Sequence, residues 1–183
     1  MQTASKILLS PEKLSVIVQR LACQLVENHV DFEQTVLIGL QPRGIYLLDR
    51  LLSILQKDYG IESIESGYLD TTFFRDDFRR TDKIHTASPT AIDITIEGKR
   101  IVLIDDVLFT GRSIRSALTA IDSYGRPSVI ELLVLIDRRF SRHLPIQPDY
   151  LGAQIDALEG DKVLVHWDET PKKSLVYIEN KDA

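Results

Sequence analysis

The chain has 183 residues, a length that fits one domain with its own hydrophobic core. Hydrophobic residues make up 44% of it and charged residues 27%, which excludes a disordered or collagen-like chain. The net charge of −5 at pH 7 excludes a protein that is basic over its whole surface, although a local basic patch is compatible with it.

The single cysteine and the absence of long apolar runs narrow the class of protein further. Cys23 alone forms no intrachain disulfide and no multi-cysteine metal site, and its apolar neighbours predict a buried position. No apolar run approaches the roughly 20 residues that span a bilayer. The N-terminal residues lack the pattern of a signal peptide. We therefore expect a soluble, cytoplasmic protein with one domain over residues 1–183.

The first elements are a helix and a buried strand. Ser10 is a hydroxyl N-cap and Pro11 suits the first helical position, so a helix begins there. Its apolar residues recur at helical spacing: Leu14, Val18, Leu21 and Leu25. Residues 35–40 (TVLIGL) form a short apolar run, which is typical of a strand buried on both faces.

A helix, a weak strand and a loop follow. Residues 45–55 return to the helical period. Residues 61–69 are weakly strand-like. Residues at about 70–90, which begin DTTFFRDDFRR, are polar and highly charged, so we expect a long flexible loop there.

The second half of the chain continues the alternation. Residues 100–104 and 129–136 predict buried strands on either side of a helix at 114–121. Residues 137–160 are rich in Arg, Pro, Asp and Gly, and we expect them to form a small hood that caps the domain rather than builds its sheet. Two late strands are predicted at 163–167 and 175–178.

The order of these elements predicts the fold class and the place of the site. Strands alternating with helices, with fully apolar strands, indicate an α/β protein with a central, mostly parallel sheet flanked by helices. Ligands of such sheets bind beyond the carboxyl ends of the strands. The residues that follow each strand are therefore the candidates for function.

The segment at residues 101–121 (IVLIDDVLFTGRSIRSALTAI) carries the most chemistry. A buried strand presents two carboxylates, Asp105 and Asp106, and a Thr-Gly turn opens the next helix. Glycine lets the backbone approach a ligand, and the N–H groups of a helix's first turn attract an anion. Carboxylates beside a phosphate suit sugar hydroxyls or a divalent cation. The pattern favours a phosphorylated sugar with Mg²⁺, and a plain strand end with a turn has equal weight from this segment alone.

Residues 101–113 (IVLIDDVLFTGRS) resemble the phosphoribosyl pyrophosphate motif of type I phosphoribosyltransferases. Residues 36–51 are similar to the pyrophosphate loop and helix of that family, 69–78 to its closing loop, and 144–155 to its nucleobase hood. In this order the four segments most resemble the pyrimidine operon regulatory protein/uracil phosphoribosyltransferase family. The resemblance implies the type I phosphoribosyltransferase fold, with a hood over the carboxyl ends of the strands.

The resemblance assigns roles to particular residues. It implies that Asp105 and Asp106 hold the ribose hydroxyls, directly or through Mg²⁺, and that Arg75 covers the leaving pyrophosphate. The residues implied to bind the 5′-phosphate are Thr110, Gly111, Arg112 and Ser113. The residues implied to form the pyrophosphate loop are Gln41, Pro42, Arg43 and Gly44. The residues implied to shape the uracil pocket are Asp137, Arg138 and Leu151, the last through its backbone.

The implied reaction joins uracil to phosphoribosyl pyrophosphate and yields UMP and pyrophosphate. Relatives that act on 6-oxopurines usually place an aspartate just before the Thr-Gly pair, where this chain has Phe109. Phe109 therefore argues against hypoxanthine and guanine, and a phosphoribosyltransferase for another base stays open. The resemblance also implies a homo-oligomer, a dimer or larger.

The alternative function is that of a UMP-sensing attenuator of pyrimidine genes, since the resemblance implies binding of leader RNA in many members of this family; RNA binding is possible but not favoured. Gln19 and Cys23 stand where the first helix of the family typically shows Thr and His. Acidic residues follow the hood at Asp156, Glu159 and Asp161, and acidic groups repel phosphates. Two basic clusters remain, one in the closing loop and one at residues 138–143. The histidines lack metal-ligand spacing, so we expect them at surfaces or in loops: His29, His85, His143 and His166.

Overall fold

The computed structural model describes residues 5–71, 94–158 and 160–179. The strands are β1 (Ser5–Leu9), β2 (Thr35–Leu40), β3 (Glu65–Leu69), β4 (Arg100–Leu108), β5 (Val129–Arg139), β6 (Tyr150–Asp156), β7 (Lys162–His166) and β8 (Leu175–Glu179). The helices are α1 (Pro11–His29), α2 (Gly44–Tyr59) and α3 (Arg112–Ile121), with a short 3-10 turn at Pro171–Lys173.

A five-stranded parallel sheet in the order β3-β2-β4-β5-β6 forms the centre of the molecule. Side chains of α1 and α2 pack on one face of it, and those of α3 pack on the other. The central strand β4 is buried on both faces through residues 101–104, as its uninterrupted apolar run predicts. The prediction of an α/β fold with a mostly parallel sheet is confirmed.

Residues 137–160 do not simply cap the domain, which corrects the sequence prediction. Strand β5 continues to Arg139, and β6 pairs with it in parallel as an edge strand of the central sheet. Buried and more exposed positions alternate at the start of β6, where Tyr150 and Gly152 face inwards. The prolines that suggested a hood, Pro145 and Pro148, lie in the connection at residues 140–149, whereas Arg138 and Arg139 belong to β5.

A second, antiparallel sheet in the order β1-β8-β7 is built from the two ends of the described chain. Strands β7 and β8 confirm the two predicted late strands, whereas β1 has no counterpart among the predicted elements. Strand β7 contacts β4. The first and last segments, rather than residues 137–160, therefore supply a small sheet next to the central one.

Two side chains lie in surroundings that differ from those predicted. His29 is buried rather than exposed, because it ends α1 against the first residues of β2 and β6. Cys23 is half-buried rather than buried, because it lies on the side of α1 that faces Glu27 and Tyr59. Within the described ranges, no helix is both long and apolar enough to cross a membrane.

Candidate active site at the carboxyl edge of the sheet

The carboxyl ends of β2, β4 and β5 lie side by side at one edge of the central sheet. The segments that follow them are residues 41–44, residues 109–113 and the connection after Arg139. In register, Leu108 near the end of β4 is level with Asp137 of β5. The parallel order therefore brings most of the described candidate residues to the same edge.

Asp105 and Asp106 lie inside β4, which extends four residues beyond its predicted end at Ile104. Asp106 is buried, and its backbone N–H donates to Oδ1 of Asp105 at 2.9 Å. Burial and the neighbouring Asp106 charge raise the pKa of Asp105 well above its usual range. Burial also raises the pKa of Asp106, although Arg43 opposes this shift. Two carboxylates whose charge is poorly solvated form a site that favours a cation or hydroxyl donors.

Arg43 connects the loop after β2 to these carboxylates. Its Nε donates to Oδ2 of Asp106 at 3.0 Å, and its Nη2 donates to the carbonyl oxygen of Val165 in β7. The Gln41–Pro42 peptide bond in the same loop is cis. A Cβ atom on Gly44 would lie 2.3 Å from the carbonyl oxygen of Ile104. Glycine at position 44 is therefore required for the loop to lie against β4.

The turn at residues 110–113 forms one wall of a cavity of about 380 Å³ that also reaches Asp105. Gly111 caps α3 with φ +88°, a left-handed conformation that glycine adopts without strain. The backbone N–H of Arg112 donates to Oγ1 of Thr110 at 3.4 Å. The first turn of a helix carries N–H groups without intrahelical acceptors. The cavity thus combines a helix N-terminus with hydroxyl groups, a combination that suits a phosphate.

A neighbouring cavity of about 510 Å³ shares Phe109 and Thr110 and extends to Arg138. The guanidinium of Arg138 stacks on the ring of Phe109, with Cζ 4.1 Å from the ring centroid. Arg138 is only 5% exposed, and burial lowers the pKa of its guanidinium. Since Phe109 and Thr110 line both cavities, the cavity that contains Arg138 adjoins the turn at residues 110–113.

Asp137 and Leu151 line a third cavity, of about 380 Å³. The carboxylate of Asp137 accepts hydrogen bonds from Arg142 and, at 3.4 Å, from Gln154. Leu151 lies near the start of β6, opposite Val134, which is itself level with Asp105 of β4. Its carbonyl oxygen accepts a hydrogen bond from Arg20 at 3.1 Å. Leu151 thus lies level with Asp105 and lines the same cavity as Asp137, whereas Arg75 lies outside the described residues.

The chain is similar to known proteins over most of its length. A family model described as the phosphoribosyl transferase domain matches residues 5–173. The protein named "Bifunctional protein PyrR" of Picosynechococcus sp. is 42% identical, over 87% of this chain and 88% of that protein. The protein of the same name in Trichormus variabilis is 41% identical, over 92% of this chain and 94% of that protein. The chain belongs to the PyrR family of phosphoribosyltransferases.

Solved structures share the fold of this PyrR-family chain at lower sequence identity. A hypoxanthine phosphoribosyl transferase of Trypanosoma cruzi has a TM-score of 0.70 at 17% identity, over 96% of this chain and 92% of that one. A hypoxanthine phosphoribosyltransferase of Staphylococcus aureus has a TM-score of 0.66 at 19% identity, over 96% of this chain and 91% of that one. At this identity the likeness concerns the fold alone.

Two residues of the site in this PyrR-family chain, Val165 and Phe140, could not be identified from the sequence. Val165 takes part through its carbonyl oxygen, which any residue could supply. Phe140 lines the cavity next to Arg138 and has φ +66°. A left-handed phenylalanine cannot be predicted from its neighbours, because the usual signals for this conformation are Gly, Asn and Asp.

The carboxylates of the site suit Mg²⁺ together with a substrate. Within residues 5–71, 94–158 and 160–179, no group of three or more His, Cys, Asp or Glu side chains could hold a metal ion. Mg²⁺ is usually bound by one or two carboxylates, with water and substrate phosphate completing its shell. Asp105 and Asp106 fit this pattern, since they are two adjacent carboxylates and the cavity lined by Asp105 has room for the oxygens of a substrate.

Proposed function

We propose that this protein transfers the phosphoribosyl group of phosphoribosyl pyrophosphate to uracil in the presence of Mg²⁺, yielding UMP and pyrophosphate. The observation that carries the proposal is the meeting of Asp105, Asp106, Arg43 and the first turn of α3 at one edge of the sheet. Each group there matches one part of the sugar substrate: hydroxyls, pyrophosphate and 5′-phosphate.

The 5′-phosphate is proposed to bind to the first turn of α3. The N–H groups of that turn and the hydroxyls of Thr110 and Ser113 supply hydrogen-bond donors around an anion. The cavity there also reaches Asp105, so a ribose attached to the phosphate would have its hydroxyls near the carboxylates. This placement fixes the orientation of the sugar before the reaction.

The leaving pyrophosphate is proposed to lie beside Arg43. The base nitrogen forms a bond to C1 of the ribose, and the bond from C1 to the pyrophosphate oxygen breaks with its electron pair staying on the pyrophosphate. The proton of the nitrogen is released to the solvent. Negative charge grows on the pyrophosphate, and a guanidinium next to it stabilises that charge. Asp105 and Asp106 would hold Mg²⁺, which when bound neutralises charge on the pyrophosphate oxygens.

Uracil is proposed as the base on two grounds. Phe109 precedes the Thr-Gly pair where relatives acting on 6-oxopurines usually have an aspartate. The similar proteins that cover about nine tenths of this chain bear the name PyrR, whereas the hypoxanthine enzymes share only the fold. A cavity with Phe109 and Arg138 in its wall offers an aromatic face and a hydrogen-bond donor to a base.

The test is a pyrophosphate-release assay with phosphoribosyl pyrophosphate, Mg²⁺ and one base at a time. Uracil, cytosine, hypoxanthine, guanine and adenine are compared at equal concentration, with a reaction lacking any base as the control. We expect release with uracil and only background with the purines. Release with a purine and background with uracil would overturn the proposed substrate, and background with every base would overturn the proposed reaction.

Binding of leader RNA is a second candidate function, because the similar proteins bear the word "bifunctional" in their name. The described basic residues do not favour it. Arg138 is buried against Phe109, Arg139 is paired with Asp156, and the guanidinium of Arg142 binds Asp137. Gln19, on α1, donates to Asp58 at 2.8 Å. These contacts already engage the guanidinium groups of the basic cluster at residues 138–142.

A filter-binding titration separates the two candidates. It compares leader RNA of a pyrimidine operon with a scrambled hairpin of equal length, with and without UMP. We expect weak, unselective binding that falls by about 10³–10⁵ between roughly 50 and 200 mM salt if six to ten phosphates are contacted. Nanomolar, UMP-enhanced binding that prefers the leader would establish the regulatory function.

A further inference from the structure

The cavity beyond the phosphate turn has an exposed aromatic residue in its wall. It measures about 510 Å³, within the usual range of small-molecule sites. Phe140, the first residue after β5, lines it and is 85% exposed. Leu158, after β6, lines the same cavity and is 77% exposed. Large apolar side chains at the mouth of a cavity suit a flat apolar ligand.

The backbone holds Phe140 in an unusual conformation. Its φ of +66° lies in the left-handed region, which a bulky side chain seldom adopts. Such strained residues are concentrated at ligand sites, where the surrounding structure compensates for the strain. An extended conformation would continue β5, whereas the left-handed one ends the strand at the cavity.

The ring of Phe140 is held on one side by an ion pair. Cζ of Arg139 lies 5.3 Å from the ring centroid. Arg139 in turn makes a two-pronged contact with Asp156, from Nε to Oδ1 at 2.5 Å and from Nη2 to Oδ2 at 2.7 Å. A guanidinium held by both carboxylate oxygens has a fixed plane. Arg139 therefore supports the ring of Phe140.

Arg138, in the same cavity, has a buried donor without an acceptor. Its Nε has no hydrogen-bond partner among the described residues, although the residue is only 5% exposed. Its Nη2 donates to the carbonyl oxygen of Leu158 at 3.5 Å, a long hydrogen bond. A buried N–H without an acceptor is unfavourable, so a ligand that brings an oxygen to it gains affinity.

We propose that Phe140 stacks on the nucleobase in this cavity and that Nε of Arg138 donates a hydrogen bond to a carbonyl oxygen of the same base. The inference rests on the proposed function, because it takes this cavity as the base end of the phosphoribosyl site. It adds Phe140 as a contact residue and names the donor atom of Arg138, which the family resemblance already places at the uracil pocket. The ligand class is a nucleotide whose base is planar and carries a carbonyl group.

The test compares two ligands that differ only by the base. UMP and ribose 5-phosphate are titrated calorimetrically into the wild-type protein and into Phe140→Ala, Phe140→Tyr and Arg138→Met. Stacking on an aromatic side chain is worth about 5- to 150-fold in affinity. We expect Phe140→Ala to lose UMP affinity in this range, Phe140→Tyr to retain it, and both to bind ribose 5-phosphate as the wild type does. We expect Arg138→Met to weaken the binding of UMP but not that of ribose 5-phosphate.

Tyr124→Ala is the matched control, because Tyr124 is an exposed aromatic residue outside the cavity. It should bind both ligands as the wild type does. Unchanged UMP affinity in Phe140→Ala would overturn the proposal, as would equal loss of both ligands or no binding of UMP to the wild-type protein. If only the proposed reaction fails, uracil gives no pyrophosphate release, while Phe140→Ala still lowers the affinity for UMP.

Discussion

Arg43 shows how one side chain can join three parts of the molecule. It extends from the loop after β2, donates to Asp106 of β4 and also reaches the carbonyl oxygen of Val165 in β7. A charged hydrogen bond to a buried carboxylate is stronger and better oriented than a neutral one. The position of this loop therefore depends on both sheets.

Substitution of Gly44 tests how closely that loop must lie against β4. In Gly44→Ala the added Cβ would lie 2.3 Å from the carbonyl oxygen of Ile104, so the loop must move. Overpacking of this kind costs about 1–3 kcal/mol, and displacement of Arg43 should lower the rate of transfer as well. Urea unfolding and pyrophosphate release measure the two effects.

Gly60→Ala, at the end of α2, is the control for this substitution. Gly60 has φ +68°, and nothing lies within 4 Å of an added Cβ. Gly60→Ala should lower the free energy of unfolding by about 1–2 kcal/mol through the left-handed backbone alone, and it should leave the activity unchanged. A Gly44→Ala protein with wild-type activity would show that the loop does not need its place against β4.

Among the elements, the unit formed by β4 and α3 is the one best specified locally. The strand, the Thr-Gly turn and the amphipathic helix follow one another within 22 residues, Arg100 to Ile121. Gly111, with φ +88°, turns the chain into the helix, whose buried residues then pack on the sheet. The N-terminus of α3 is thus presented at the carboxyl edge by contacts between near neighbours in the chain.

This arrangement predicts where a sugar phosphate binds. Ribose 5-phosphate titrated into ¹⁵N-labelled protein should shift the amide signals of residues 111–114 most, because the phosphate accepts hydrogen bonds from them. The amides of residues 57–60, at the far end of α2, serve as the internal reference. Large shifts elsewhere, with residues 111–114 unmoved, would disprove the assignment of the phosphate site.

Opposite the site, His29 joins four elements at the amino end of the sheet. Its Nδ1 lies 3.0 Å from Oγ1 of Thr35, and its Nε2 lies 3.1 Å from the hydroxyl of Tyr150 and 3.0 Å from Glu131. Burial lowers the pKa of His29, although Glu131 opposes the shift. Burial and the hydrogen bond to Glu131 raise the pKa of the Tyr150 hydroxyl.

The lowered pKa of His29 predicts how stability depends on pH. Since the folded protein favours neutral His29, this contribution is complete above about pH 6.5, the usual unfolded value, and is lost as the pH falls through the folded pKa. The free energy of unfolding should therefore fall between about pH 7 and pH 5, and fall less in His29→Gln.

Urea titrations at several pH values measure this difference. His166→Gln is the control, because the side chain of His166 is 57% exposed and lies 4.0 Å from Asp168. It should follow the wild-type curve. A His29→Gln protein whose pH dependence equals that of the wild type would show that His29 does not carry this effect.

For the whole molecule, the parts that could be predicted are those whose residues are neighbours in the chain. The buried runs of β2, β4 and β5 and the turn at residues 110–113 are visible in the sequence, because period and turn residues are local signals. The sequence resemblance also located residues 41–44, which the structure brings to Asp106 through Arg43.

The parts that could not be predicted depend on pairing between distant residues. Strand β1 is recognisable only through its pairing with β8, and β6 only through its pairing with β5. The sequence around His29 does not indicate that its side chain is buried, because its partners Thr35, Glu131 and Tyr150 are brought together by the fold. The composition of residues 137–160 was misleading because charged residues flank an edge strand as readily as they form a cap.

The central claim is that Asp105 and Asp106 serve phosphoribosyl transfer to uracil. Its most direct test measures UMP and pyrophosphate formed from phosphoribosyl pyrophosphate and uracil at saturating Mg²⁺, by the wild-type protein and by Asp105→Asn/Asp106→Asn. Asp122→Asn, at the far end of α3, is the control. We expect the wild type and the control to form UMP and pyrophosphate in equal amounts and to be equally active. The double variant should react at a rate at least about a hundredfold lower, with an unchanged circular dichroism spectrum. Equal rates in the double variant and the wild type would contradict the claim.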